Sequence, residues 1–81
     1  MEDWAEKIRQ QEEKALMELI EHYGSQAELG RAVGESRQVV QNWVARGRIS
    51  AQAAIKVEKA TEGKFTKRYM RPAVAVWRDE E

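Results

Sequence analysis

The chain has 81 residues, no cysteine, one histidine and equal numbers of basic and acidic side chains. This length suits one compact domain. The missing cysteines exclude disulfides and thiolate metal sites, and a single histidine cannot form a histidine cluster, so we expect no metal and no cofactor. No apolar run approaches the roughly 20 residues that cross a bilayer, and the acidic start Met1–Glu2–Asp3 does not resemble a secretory signal. We therefore expect a cytoplasmic protein without membrane contact.

The charges are unevenly distributed along the chain although they sum to zero. The acidic residues are concentrated in the first 21 residues and at Asp79–Glu81, whereas the stretch 26–72 holds four acids and ten bases, a local charge of +6. The bases are Arg31, Arg37, Arg46, Arg48, Lys56, Lys59, Lys64, Lys67, Arg68 and Arg71. A basic middle between acidic ends fits a surface that faces DNA, and it also fits ordinary solvated helix faces.

The first predicted helix runs from about Trp4 to Tyr23. Its apolar residues recur at steps near the helical period of 3.6, at Trp4, Ile8, Ala15, Leu16, Leu19, Ile20 and Tyr23. The same segment holds the acidic residues Glu12, Glu13, Glu18 and Glu21. No nucleophile or phosphate-binding loop accompanies these carboxylates, so we interpret them as solvated helix faces and expect no enzyme activity.

Capping residues and glycines predict four further helices, at about 26–33, 37–45, 51–61 and 66–71. The predicted fold is all-α: a compact bundle of about five helices that contains a helix-turn-helix and is followed by an apolar C-terminal tail. We divide the chain into an N-terminal helical extension (1–14), a helix-turn-helix domain (15–72) and the tail (73–81).

The segment from Gln26 to Val44 has the pattern of a helix-turn-helix, in which a glycine-containing turn separates two short helices. Gly34 suits the sharp turn. Gly30 lies inside the second helix, where glycine costs about 1 kcal/mol relative to alanine. Close approach of the third helix is a physical reason for keeping a glycine there. We expect the inner side of the second helix to be lined by Ala27, Leu29, Ala32 and Val33.

The outer face of the third helix carries hydroxyl, amide and guanidinium groups, on Ser36, Arg37, Gln38, Gln41 and Asn42. Arginine pairs bidentately with guanine, and glutamine or asparagine with adenine, in the DNA major groove. A face evolved for solubility alone more often carries glutamate and lysine. We therefore predict that these residues contact bases, the alternative being a polar helix face with no partner.

Several short motifs resemble those of the small Cro/YdaS-like phage repressors, which have a lambda-repressor-like DNA-binding domain. The matching residues are Gly24-Ser25-Gln26, Trp43, Arg46-Gly47-Arg48-Ile49, Glu58-Lys59-Ala60-Thr61, Lys64 and Arg71-Pro72. The resemblance implies a transcriptional repressor of a phage or prophage, acting in the bacterial host cytoplasm. Such proteins usually bind double-stranded operator DNA as homodimers at an inverted repeat, and some members are antitoxins with a partner toxin.

The resemblance also implies roles for individual residues. Gln26, Arg46 and Arg48 would contact DNA phosphates, and Ser36 would lie near a base or the backbone. Arg37, Gln38, Gln41 and Asn42 would face bases. The chain departs from the family pattern in its longer first helix and at Tyr69, where relatives often have an acidic residue.

The terminal segments contain apolar residues that exceed the needs of one small core, namely Trp4, Ile8, Val74, Val76 and Trp77. Exposed apolar segments often mark partner contacts, so we consider these residues as dimer contacts, the alternative being docking onto the protein's own core. The leading functional hypothesis is a sequence-specific repressor. The second is an antitoxin-type interaction module that binds a partner toxin and regulates its own operon.

Overall fold

A computed structural model of the chain describes residues 4–72, and these residues form five helices. They are α1 (Trp4–Tyr23), α2 (Gln26–Val33), α3 (Arg37–Arg46), α4 (Ala51–Ala60) and α5 (Lys67–Met70). No strand occurs within these 69 described positions, from 4 to 72. The all-α prediction is confirmed, with each helix starting and ending within one residue of its expected bounds. The predicted apolar tail, 73–81, lies outside the described residues.

Side-chain caps explain where four of the helices begin. Ser25, Ser36, Ser50 and Thr66 precede α2, α3, α4 and α5, and each side-chain oxygen accepts a hydrogen bond from the backbone N–H three residues later at 3.1–3.2 Å. These bonds satisfy backbone donors that a helix leaves unpaired at its start. Local sequence signals therefore set the helix boundaries.

The helices surround one core, in which α1 packs against α2 and α5, and α2 packs against α3 and α4. The largest fully buried apolar side chains are Leu16, Leu19, Leu29, Ile49, Met70, Val40 and Val57. On α2, Leu29 and Val33 face this core, whereas Ala27 and Ala32 are exposed. The expectation that both alanines line the inner side was wrong, because rotation of 100° per residue turns them away from the Leu29–Val33 row.

The turn between α2 and α3 passes very close to Gly30. A Cβ atom at this position would lie 2.6 Å from the Glu35 carbonyl oxygen and 3.4 Å from Val40 Cγ2. Glu35 N–H also donates a 2.7 Å hydrogen bond to the Gly30 carbonyl oxygen. The predicted close approach is confirmed, with the tightest contact made by the turn backbone rather than by α3. Gly34 ends α2 with a left-handed φ of 72°.

Two of the α1 carboxylates are not on a solvated face, contrary to expectation. Glu12 is only 2% exposed and pairs with Arg71, whose Nε lies 3.0 Å from Glu12 Oε2. A second Arg71 nitrogen donates to the Ile49 carbonyl oxygen at 2.9 Å. Glu18 is half-buried and accepts a hydrogen bond from the Tyr69 hydroxyl. Both carboxylates bind partners from the other end of the chain, Glu12 fully buried and Glu18 half-buried.

The helix α1 continues without a break through residues 14 and 15, where the sequence analysis placed a domain boundary. Glu12 belongs to the predicted N-terminal extension and contacts the core through Arg71. None of the helices within residues 4–72 is long and apolar enough to cross a membrane.

Candidate nucleic-acid interface

The outer face of α3 presents the predicted base-contacting residues together. Ser36, at the N-cap, and Arg37, Gln38, Gln41 and Asn42 are all exposed. The opposite side of the helix is held in the core by Val40 and Trp43, which are 0% and 4% exposed. Burial of that side fixes which way the helix is rotated and leaves the polar side chains in solvent.

These side chains form two parallel rows, because residues four apart lie above one another on a helix. One row is Arg37, Gln41 and Ala45. The other is Gln38, Asn42 and Arg46, and Gln38 Nε2 donates to Asn42 Oδ1 at 3.4 Å. The sequence of α3 contains no acidic residue. The face therefore offers donors and amide acceptors without a carboxylate that would repel DNA.

Gln26, the predicted phosphate contact at the start of α2, is half-buried. Its Oε1 is buried and has no hydrogen-bond partner among the described residues. Buried polar atoms usually have a partner, so this orphaned acceptor is unusual. The amide NH2 group of the same side chain is the donor that a phosphate oxygen would use. Its role in DNA contact stays a prediction.

Arg46 and Arg48, the other predicted phosphate contacts, are exposed at the end of α3 and in the loop that leads to α4. Neither forms an ion pair within residues 4–72. They border a concavity of about 310 Å³ between this loop and α1, which is also lined by Arg9, Glu12, Glu13 and Gly47. Sequence reasoning missed Arg9 and Glu13, because no local pattern shows where α1 crosses the loop.

Some of the basic charge is compensated inside the molecule. Arg71 is paired with buried Glu12, Arg31 pairs with Glu28 at 3.0 Å, and Lys56 lies 3.8 Å from Glu35. The last two pairs are partly or largely exposed, so solvent screens them and they contribute little. The basic surface available to a polyanion is thus smaller than the local charge of +6 indicates.

A second concavity lies where α1 meets α5 and is lined by Glu18, Glu21, His22, Lys64, Phe65 and Tyr69. The hydrogen bond to Glu18, desolvation and the Glu18 charge raise the pKa of Tyr69 above its usual value. No group of three or more His, Cys, Asp or Glu side chains within the described stretch could hold a metal ion.

The predicted dimer residues are only partly described. Trp4 is 65% exposed at the start of α1, and Ile8 is half-buried. Val74, Val76 and Trp77 lie outside the described residues. The structure therefore places Trp4, of this set, at the surface. The role of the set in a dimer stays a prediction.

The five helices, the glycine-dependent turn and the polar outer face define a small all-α protein with a helix-turn-helix. The chain belongs to the family described as bacterial toxin YdaS, whose model matches residues 16–78, more than half of the chain. No curated protein and no solved structure matches the chain. The YdaS part of the resemblance is confirmed, and the Cro-type and lambda-repressor-like part stays a prediction.

Proposed function

We propose that this chain is a sequence-specific DNA-binding repressor that reads an operator through α3. The observation that carries the proposal is the exposed outer face of α3, with one guanidinium, three amides and no carboxylate. Buried Val40 and Trp43 fix the rotation of α3 about its axis. The close contact at Gly30 fixes the distance between α2 and α3. These are the features that a helix-turn-helix requires of a helix entering the major groove.

In the proposed complex, the N-terminal end of α3 enters the major groove. Arg37 contacts guanine, and Gln38, Gln41 and Asn42 contact adenine or neighbouring bases. Arg46, Arg48 and the Gln26 amide contact phosphates, which fix the position of the protein without reading sequence. Repression is steric, because a protein bound at the operator excludes the polymerase.

Two copies acting on a two-fold operator complete the proposal. One α3 helix contacts too few base pairs for useful specificity, whereas two helices about 34 Å apart read an inverted repeat. Trp4, exposed at the start of α1, is one candidate dimer contact. Sedimentation of the protein with its selected duplex should give two chains per duplex, and one chain per duplex would contradict the dimer.

The test of base reading is a binding-site selection with the wild-type chain and the variants Arg37→Ala and Gln41→Ala. Each variant should lose about 1–3 kcal/mol of binding free energy per bidentate contact and relax the preference at one base pair. Gln10→Ala, an exposed amide on α1, is the matched control and should keep the wild-type preference. Unchanged base preferences in both α3 variants would rule out α3 as the reading helix.

Growth inhibition is the second candidate function, because the family's description names a toxin. Induced expression of the wild-type chain and of an Arg37→Ala, Gln41→Ala double variant in bacteria separates the two functions. Arrest by both proteins would show toxicity independent of base reading, and arrest by the wild type alone would trace toxicity to DNA binding. The antitoxin interpretation stays a prediction.

A further inference from the structure

We infer that the concavity between α1 and the α3–α4 loop is an additional site for a phosphate of the DNA backbone. In this site Arg9 is a third cationic ligand beside Arg46 and Arg48, and the Glu13 carboxylate competes with the phosphate. The inference rests on the proposed function, since it extends the DNA contact of α3 onto the N-terminal part of α1.

The position of Arg46 connects the concavity to the outer face of α3. Arg46 follows Gln38 and Asn42 in one row, since the three residues are spaced four apart along α3. Arg46 also lines the concavity. A DNA strand that leaves the bases contacted by this row therefore reaches the concavity next.

Three guanidinium groups line this space. Arg46 and Arg48 have no ion pair within residues 4–72. Arg9 pairs with Glu6 at 2.8 Å, but its side chain is 68% exposed. An exposed pair of this kind is weak, so Arg9 can exchange the glutamate for a phosphate at little cost. Arginine is suited to this role because its planar group binds phosphate oxygens bidentately.

Glu13 places a negative charge in the same space. A Cβ atom at Gly47 would lie 3.4 Å from Glu13 Oε2, so the carboxylate lies close to the backbone of Gly47, the residue between Arg46 and Arg48. Glu12 lines the concavity too, but Arg71 neutralises its charge. Glu13 has no ion pair among the described residues. A phosphate entering here must displace the Glu13 side chain or bind against its charge.

The experiment measures affinity of the full chain for two duplexes, the one recovered by selection and a scrambled one, over a range of salt concentrations. The variants are Arg9→Gln and Glu13→Gln. Lys14→Gln and Glu21→Gln are the matched controls, because they make the same charge changes at exposed positions of α1 that do not line the concavity. All four positions are exposed, so each variant should fold like the wild type.

Arg9→Gln should weaken binding to both duplexes about two- to fivefold and reduce the slope of log affinity against log salt by about 0.9. Glu13→Gln should tighten binding to both duplexes by about the same factor. The controls should change affinity less, because neither side chain lines the concavity.

Either of two results would overturn the inference. In the first, Arg9→Gln binds DNA no more weakly than Lys14→Gln. In the second, Glu13→Gln binds DNA no more tightly than Glu21→Gln. If the wild type still prefers the selected duplex in that case, the proposed function stands and only the phosphate site is lost. If the wild type does not distinguish the two duplexes, the sequence-specific function fails as well.

Discussion

The Tyr69 hydroxyl links α5 to α1 by donating a hydrogen bond to Glu18 Oε1. That hydrogen bond, with desolvation and the Glu18 charge, raises the pKa of Tyr69 above the ordinary value of 10.0. Only the protonated phenol can donate the bond. The stabilisation is therefore fully present below the ordinary tyrosine pKa and is lost as pH rises through the raised value.

Tyr69→Phe should lower the free energy of unfolding by about 0.5–1.5 kcal/mol at neutral pH, since it removes one half-exposed hydrogen bond. The difference from the wild type should shrink in alkaline solution above the ordinary tyrosine pKa. Denaturant unfolding at several pH values measures both effects. Tyr23→Phe is the control, because Tyr23 is also half-buried and its hydroxyl has no hydrogen bond within residues 4–72. Equal losses of unfolding free energy in the two variants would contradict a stabilising role for the hydrogen bond between Tyr69 and Glu18.

At the scale of the elements, the turn between α2 and α3 depends on the absence of a side chain at Gly30. In an open helix, replacing glycine by alanine stabilises by about 1 kcal/mol. Here the new methyl group would lie 2.6 Å from a backbone carbonyl oxygen, that of Glu35. Backbone cannot move aside as a flexible side chain can, so the turn itself must shift.

Gly30→Ala should therefore destabilise the protein by about 1–3 kcal/mol, the usual cost of overpacking, and weaken DNA binding by displacing α3. Ala32→Gly on the exposed side of the same helix is the comparison, and its cost of about 1 kcal/mol comes from helix propensity alone. Thermal unfolding and duplex titration measure the two effects. A Gly30→Ala variant more stable than the wild type would show that the turn relaxes freely.

The helices and the polar face of α3 could be predicted because their signals are local. The caps Ser25 and Ser36 act within three residues, and the buried side of α3 follows from the spacing of Val40 and Trp43. Periodicity did contain a signal for Glu12, which lies one helical turn from both Ile8 and Leu16 on the apolar stripe of α1.

The features that could not be predicted from the sequence depend on contacts between distant parts of the chain. The partner of Glu12 is 59 residues away, and the partner of Tyr69 is 51 residues away. The concavity between α1 and the loop likewise depends on how α1 crosses the bundle, which no spacing rule specifies. Arg9 and Glu13 could therefore be placed near Arg46 and Arg48 only once the packing was known.

At the scale of the whole molecule, the Glu12–Arg71 pair joins α1, the residue after α5 and the loop before α4. Glu12 and Arg71 side chains are 2% and 15% exposed, and Arg71 also donates to the Ile49 carbonyl oxygen. Removing two charges from water is costly unless both are paired and hydrogen-bonded. Each partner therefore depends on the other.

Glu12→Ala or Arg71→Ala should each lower the free energy of unfolding by about 3–5 kcal/mol, because each breaks the ion pair in which the Glu12 carboxylate is buried. The loss of unfolding free energy in the double variant should be smaller than the sum of the two single losses, and the difference should be about 0.5–3 kcal/mol. The exposed pair Glu28–Arg31, treated in the same way, should show a coupling below about 1 kcal/mol. A double-mutant cycle by denaturant unfolding measures both couplings, and additive losses at Glu12 and Arg71 would contradict the interdependence.

The long separation of Glu12 and Arg71 also has a consequence for folding kinetics. Contacts between residues 59 apart close a long loop, and the entropy of closing it favours late formation, after the local helices and their turns. Interactions that form after the transition state act mainly on the unfolding rate. We therefore expect loss of the pair to raise the unfolding rate of the folded protein more than it lowers the rate at which a new chain folds.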